Sequence, residues 1–193
     1  MIETTTAFLS VALFDEGALI AADHRNIGRG HAEQLVPTIA ALPGGGKADA
    51  IWVGCGPGSF TGTRVGIAAA RALAFVWGVE LSGYDSLALV AAQARRATGT
   101  GEVAVASYGG HGQWLVAEAV MAWRALDPAE AAGAIACDMV AGACADELVK
   151  MRGFGVAVAA EADARAALDM DARARFTQIA ALYARAPDAK RAS

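Results

Sequence analysis

The first apolar residues of the chain alternate with small and polar ones, as the residues of β-strands do. This pattern runs through residues 4–14 and returns at residues 18–22, and the turn signal Asp15-Glu16-Gly17 separates the two runs. The alternation therefore predicts a β-hairpin at the start of the chain.

Helical spacing of apolar residues begins after this hairpin. Residues 31–42 place Leu35, Ile39 and Leu42 on one side of a helix. Pro37 lies inside this pattern, where it either kinks the helix or marks its first turn. Further helices are predicted at residues 63–77 and from Ser86 to Arg96, with a short strand at 79–83.

A glycine-rich loop, Gly54–Gly66, joins the apolar strand at residues 50–53 to the helix that ends at Trp77. Its glycines permit positive φ, and its Ser and Thr residues can cap a helix. Two interpretations are open: the helix start binds an anion such as phosphate, or the glycines only allow a tight connection. The spacing is neither that of a P-loop nor that of the dinucleotide fingerprint. The candidate loop residues are Gly56, Gly58, Ser59, Thr61 and Gly62.

The second half of the chain follows the turn-like stretch 98–101 and repeats the opening on a smaller scale. A hairpin is predicted around the glycines at 109–112, followed by a helix from Pro128 that Asp127 caps. The remaining predicted elements are a strand at 138–142, a helix at 145–151, a strand at 155–159 and a C-terminal helix at 171–183.

Composition and charge narrow the class of protein. The chain has 193 residues, 55% of them hydrophobic, and a net charge of −4. Charged residues interrupt every long apolar run, so neither a membrane-spanning helix nor a secretory signal is expected. Three cysteines without a CxxC pair favour a cytoplasmic location. The sequence shows no stripe of basic residues, so direct binding of nucleic acid is not expected.

The whole run Gly-Pro-Gly-Ser-Phe-Thr-Gly-x-Arg-x-Gly-x-Ala, at residues 56–68, resembles the signature of the TsaB (YeaZ) family. Residues 28–37 resemble the start of the family's first helix, residues 4–13 its hairpin, and residues 183–190 its C-terminal tail. The likeness is dense over residues 3–90 and thin over 100–180.

The resemblance implies an α/β, actin-like (ASKHA, ribonuclease H-like) fold. Two lobes with mixed sheets flanked by helices are expected, at residues 1–97 and 102–193, with the second lobe reduced.

The start of the chain departs from the family pattern. Family members usually begin with a further apolar strand, whereas only Met1 and Ile2 precede Glu3, which stands where the family has Asp. Either the recorded start lies inside the reading frame, or the sheet lacks most of a central strand.

The chain also lacks the metal-binding histidines of related enzymes. Related TsaD enzymes carry a metal-binding His pair, whose places Ser86 and Val90 occupy here. His24, His31 and His111 have no partner at ligand spacing, so no metal site and no catalytic residue is expected.

The family role implied is that of a non-catalytic partner of TsaD. TsaD transfers threonylcarbamoyl from threonylcarbamoyl-AMP to the adenosine 3′ of the anticodon in tRNAs that read ANN codons. The ATPase TsaE would join the complex, and ATP and tRNA would be bound only through it. Without TsaD, a homodimer is the expected alternative.

Docking to the partner is predicted on the two helices at 31–42 and 63–77, because small side chains allow helices to approach closely. The predicted residues are His31, Gln34, Leu35, Gly66, Ala70 and Ala74. Val65, Leu73 and Val76 are expected to pack on the sheet instead. The same small-residue face could also be part of the core, which leaves this assignment open.

Two other functions stay open. One is a nucleotide-binding ASKHA-type phosphotransferase or hydrolase, in which the turn 3–6 and the loop 56–62 hold phosphates. The other is a structural remnant that functions only as a homodimer.

Overall fold

A computed structural model describes residues 1–99 and 101–184 of the chain. The helices are α1 (His31–Ala40), α2 (Phe60–Trp77), α3 (Ser86–Thr98), α4 (Pro128–Ala134) and α5 (Ala145–Arg152). The strands are β1 (Ile2–Glu3), β2 (Phe8–Asp15), β3 (Ala18–Asn26), β4 (Ala50–Gly54), β5 (Glu80–Tyr84), β6 (Ala104–Gly110), β7 (Gln113–Ala117), β8 (Trp123–Leu126), β9 (Met139–Ala141), β10 (Val156–Val158) and β11 (Arg175–Phe176).

These strands form two mixed sheets. The first has the order β11-β5-β4-β1-β2-β3 and the second the order β10-β9-β6-β7-β8. Strand β1 contributes only two residues to the centre of the first sheet, where it is antiparallel to β2 and parallel to β4. The α/β class with two mixed sheets and flanking helices is therefore as the sequence predicts.

The helices separate the sheets into layers. Helices α1 and α2 pack with Leu9, Val11 and Val53 on one face of the first sheet. Helix α3 packs between the two sheets, with most of its length buried against residues such as Val105 and Leu115. Helices α4 and α5 cover the outer face of the second sheet. The predicted lobe boundary follows α3, and the division into 1–97 and 102–193 stays a prediction.

Local sequence signals explain where the helices begin and end. Ser59 caps α2 by accepting the N–H of Gly62, and Gly78 ends the helix at φ 68°. Asp85 caps α3, which Gly99 ends in the same left-handed conformation. Pro37 lies inside α1, so the interpretation of Pro37 as a first-turn residue is wrong.

The predicted C-terminal helix at residues 171–183 is wrong. The chain there forms one 3-10 turn, Ala172–Ala174, and then joins the first sheet as β11. Another 3-10 turn, Ala164–Asp169, comes just before this range. Asp163 and Asp171 each accept the backbone N–H two residues on, at 2.9 Å. Such local bonds compete with the helical pattern and favour turns.

The structure adds one strand that the sequence did not predict and lengthens another. Strand β8, which the sequence did not indicate, extends the second hairpin to three strands. Strand β3 continues beyond residue 22 to Asn26, through Asp23, His24 and Arg25. Charged side chains are tolerated there because β3 is the edge of its sheet.

Across residues 1–99 and 101–184, the helices are too short or too polar to cross a membrane.

Candidate functional site

The glycine loop packs on the turn that connects β1 to β2. A Cβ atom on Gly58 would overlap the carbonyl of Thr5, and one on Gly62 would overlap the carbonyl of Thr4. One on Gly66 would meet the Thr4 hydroxyl. These glycines therefore allow two backbone segments to approach more closely than any side chain would permit.

Hydrogen bonds fix the same contact. The N–H of Ser59 donates to the carbonyl of Thr5 at 2.6 Å, and the hydroxyl of Thr4 donates to the carbonyl of Gly62 at 2.8 Å. The Oγ of Ser59 accepts the N–H of Gly62 at 3.2 Å. Thr61 is exposed beside them. This arrangement supports the tight-connection interpretation, and phosphate binding by the loop stays a prediction.

A C-terminal strap, defined as residues 177–184, covers the loop and one side of α2. Leu182 donates its N–H to the carbonyl of Cys55 at 2.7 Å, and its own carbonyl lies where a Cβ on Gly56 would fall. Arg64 stacks over Phe60 at 3.5 Å and donates to the hydroxyl of Tyr183 at 2.9 Å. Residues 185–190 of the family-like tail lie outside the described residues.

Glu3 is the buried polar centre of this region. Its carboxylate accepts the N–H of Thr5 at 2.6 Å, the hydroxyl of Ser86 at 2.8 Å and that of Tyr84 at 3.1 Å. Burial raises the pKa of Glu3, although the three donors act in the opposite direction. With these bonds the carboxylate joins β1 to the turn that follows it, to the end of β5 and to the start of α3, and it is directed into the protein.

Most of the predicted docking residues are buried within the protein itself. The Nε2 atom of His31 donates to the carbonyl of Phe8 at 3.2 Å, and Leu35 packs in the core. Gly66, Ala70 and Ala74 line the inner side of α2. Gln34 alone among the six is half-exposed. The small-residue face of α2 is therefore core, as the alternative interpretation held.

The accessible surface of the same two helices is a different set of residues. Phe75 and Val76 are 88% and 76% exposed, and Val36 on α1 is 51% exposed. The expectation that Val76 packs on the sheet is therefore wrong. We call this surface the two-helix face; it comprises Ala32, Val36, Ala40, Ala68, Ala72, Phe75 and Val76.

A cleft of about 780 Å³ separates the start of α3 from the second sheet. Asp85 lies in its wall and accepts the N–H of Leu87 at 2.9 Å and of Met121 at 3.2 Å. Burial raises the pKa of Asp85 to about 6. Sequence reasoning gave this carboxylate no functional role, and its N-cap position before an apolar run was the available signal.

The positions aligned with the metal ligands of TsaD are built into the core. The hydroxyl of Ser86 donates to Glu3, and Val90 is buried in α3. Within the described part of the chain, no group of three His, Cys, Asp or Glu side chains is placed to hold a metal. The expectation of a protein without a metal or a catalytic residue stays a prediction.

Comparison with known proteins places the chain in a family. Residues 25–178 match the family described as TsaD: tRNA N6-adenosine threonylcarbamoyltransferase. The tRNA threonylcarbamoyladenosine biosynthesis protein TsaB of Escherichia coli is 34% identical over 110 residues, 54% of this chain and 47% of that protein. An uncharacterized protein of Mycobacterium tuberculosis is 35% identical over 99 residues, 48% of this chain and 47% of that protein. The chain thus spans about half the length of the curated relatives it matches.

Solved structures resemble the fold over nearly its whole length. YeaZ from Pseudomonas aeruginosa superimposes with a TM-score of 0.73 at 26% identity, over 94% of this chain and 97% of that one. A P. aeruginosa protein described as similar to the peptidase YeaZ gives a TM-score of 0.72 at 28% identity, over 95% and 97%. The two-sheet architecture, the glycine loop and the family match lead to one assignment: this chain belongs to the TsaB/YeaZ group of the TsaD family.

Proposed function

We propose that this protein acts in the biosynthesis of threonylcarbamoyladenosine in tRNA, as a non-catalytic partner of a TsaD enzyme. The names of the E. coli and Bacillus subtilis relatives, both tRNA threonylcarbamoyladenosine biosynthesis proteins, support the pathway. In this role the protein holds TsaD in its active arrangement, while TsaD transfers the threonylcarbamoyl group to adenosine beside the anticodon.

The two-helix face is the observation that carries this proposal. Phe75 and Val76 expose large apolar side chains next to each other at the end of α2, with Ala72 about one turn and Ala68 about two turns before them. Exposed apolar patches of this kind on a folded protein mark interaction surfaces. Small alanines beside a projecting aromatic residue suit close packing against helices of a partner.

Further members of the assembly follow from the same proposal. TsaE joins the pair, ATP is bound through the partners, and tRNA is contacted only in the complex. In the absence of TsaD, the two-helix face of one copy pairs with that of a second copy, which gives a homodimer.

Co-purification with the cognate TsaD tests the proposal. We expect the wild-type protein to bind TsaD and to be required for threonylcarbamoyladenosine formation by TsaD. Phe75→Glu should abolish both effects, whereas Phe154→Glu, at a half-exposed aromatic residue beyond α5, should change neither. Failure of the two folded wild-type proteins to associate would overturn the proposal.

A nucleotide-binding phosphotransferase or hydrolase finds no supporting observation in the site. Such an enzyme needs acids that hold a metal–nucleotide complex, and the carboxylate of Glu3 is bonded to three groups of its own chain. Calorimetry with Mg-ATP on the isolated protein tests this alternative, since micromolar binding would favour it over the partner role.

A further inference from the structure

The backbone of β3 presents alternate hydrogen-bonding groups to the open edge of the first sheet. Ala12 of β2 exchanges both of its backbone hydrogen bonds with Met1, at 3.1 and 3.0 Å. Its neighbour Val11 therefore faces the other way, towards its register partner Asp23 on β3. It follows that Ala22 and His24, on either side of Asp23, direct their N–H and C=O groups away from β2.

Cavities lie on both faces of this edge. A groove of about 580 Å³ lies between β3 and α1, and a second cavity of about 320 Å³ lies on the face of His24. A strand added to the edge of a sheet places successive side chains on opposite faces. An added strand here would therefore direct its side chains alternately into the two cavities, as in peptide recognition by strand addition.

The two cavities differ in chemistry. Six of the eleven residues that line the groove beside α1 are apolar, among them Ala21, Pro37 and Leu42. Glu33, Gln34 and Thr38 are polar lining residues on α1. Asp23 and Arg25 also line it, but they pair with each other at 2.9 Å. An apolar side chain of moderate size suits this groove.

The cavity on the face of His24 is acidic. Its charged lining residues are Asp146, Glu161, Asp163 and Arg165, and Arg165 is bonded to Asp163 at 2.9 Å. One cation therefore faces three carboxylates. The Nδ1 atom of His24 is buried without a hydrogen-bond partner and lies 3.9 Å from Asp163. This set of groups favours a basic side chain.

We propose that the open edge of β3 binds an extended segment of another polypeptide, in which apolar and basic side chains alternate. The segment pairs with the outward groups of Ala22 and His24 as a seventh strand of the first sheet. Its apolar residues enter the groove beside α1, and its basic residues enter the acidic cavity. This site is separate from the two-helix face, so the inference does not depend on the proposed partner role.

A synthetic peptide, acetyl-Val-Lys-Val-Lys-Val-Lys-Val-amide, tests the site on the full-length protein. We expect saturable binding by fluorescence anisotropy, with slower exchange of the amide hydrogens of Ala22 and His24 measured by NMR. The peptide with Glu in place of Lys should bind at least tenfold more weakly. Equal binding of both peptides, or binding without protection of these amides, would overturn the proposal.

Ala22→Pro removes one outward N–H without breaking the ladder to β2, because that N–H does not face β2. The control is Ala22→Val, which keeps the N–H. We expect the Pro variant to bind the basic peptide at least tenfold more weakly than the Val variant, with melting curves confirming that both are folded. Equal binding by the two variants would contradict strand addition. If the amides of Ala22 and His24 become protected when only the protein concentration is raised, the edge binds a second copy of this chain, which would also overturn the proposal.

Discussion

Helix α2 has two faces of similar composition and opposite burial. Its inner face consists of Gly62, Gly66, Ala70 and Ala74, all packed against the first sheet and the turn after β1. Its outer face, with Ala68, Ala72, Phe75 and Val76, is exposed. Phe75 and Val76 are large apolar residues on the outside, whereas Ile67 and Leu73 pack in the core with the first sheet. An ordinary amphipathic helix presents polar residues on its outer face, so the exposed pair is the exception. The comparison teaches that the small residues of the inner face serve close packing within the chain, whereas Phe75 and Val76 stay accessible on the opposite side.

The largest expected effect comes from placing a charge on each face in turn. Ala70 is fully buried, so Ala70→Arg would bury an unpaired cation and should destabilise the fold by about 4 kcal/mol or more. Ala72→Arg, two residues away on the outer face, is the matched control and should change stability by less than about 0.5 kcal/mol. Urea denaturation followed by circular dichroism measures both, and a stable Ala70→Arg variant would contradict the assignment of the faces.

A smaller effect is expected at the glycines of the inner face. Gly62→Ala brings a methyl group onto the Thr4 carbonyl and should cost about 2–3 kcal/mol, although alanine is the better helix former. Gly133→Ala in α4, where no atom lies within 4 Å of the added Cβ, should instead stabilise by about 0.5–1 kcal/mol. Thermal melts measure both changes in stability. A loss at Gly62 and a gain at Gly133 would confirm that the close approach of the Thr4 carbonyl, rather than helix propensity, requires glycine at position 62.

The outer face is tested by removing its side chains. Phe75→Ala with Val76→Ala should weaken binding to TsaD by tenfold or more, about 1.4 kcal/mol, because exposed aromatic anchors dominate such interfaces. The stability of the isolated protein should stay within about 0.5 kcal/mol of wild type, since both side chains are exposed. Isothermal titration with purified TsaD gives the affinity, and an unchanged affinity would remove this end of α2 from the interface.

The last effect, which depends on pH, concerns the buried carboxylate beneath the inner face. The pKa of Glu3 is raised in the folded protein, so its contribution to stability is full below the ordinary value of 4.5 and is lost as pH rises through the folded value. Gln at position 3 can still accept from Thr5 and can donate to the hydroxyl of Ser86 or Tyr84. Glu3→Gln should therefore gain stability relative to wild type as pH rises above 4.5, by about 1.4 kcal/mol for each pH unit up to the folded pKa of Glu3.

Denaturation curves of wild type and Glu3→Gln at several pH values measure this difference. The pKa of Asp85, raised to about 6 mainly by burial, produces a decline in stability up to that pH in both proteins. Because the charge of Glu3 is the smallest cause of this shift, most of the decline cancels in the comparison. A difference that does not change with pH would show that Glu3 titrates in the folded protein as it does in the unfolded chain.

The glycine loop, α2 and the first hairpins could be predicted from sequence because their turn and capping residues act locally. Which face of α2 is buried could not be predicted from sequence, because glycine and alanine pack equally well against a sheet and against a partner. The contact that decides it joins Thr4 to Gly62, which are 58 residues apart. The turns at Asp163 and Asp171 were missed because the surrounding alanines are strong helix formers.

The open strand edge and the exposed apolar residues of α2 could not be predicted for a related reason. A run such as Ala18–Asn26 shows alternation, but only the sheet order reveals that β3 has a neighbour on one side. Phe75 and Val76 look like core residues in any sequence, and their exposure follows from the position of the sheet on the opposite side of α2.

Helix α3 belongs to the hydrophobic core of both sheets, since its apolar residues pack with each of them. Neither sheet can lose this helix without exposing a large part of its own interior to water. Heating should therefore disrupt both halves in a single cooperative transition, and cleavage near residue 100 should yield fragments that remain bound to each other.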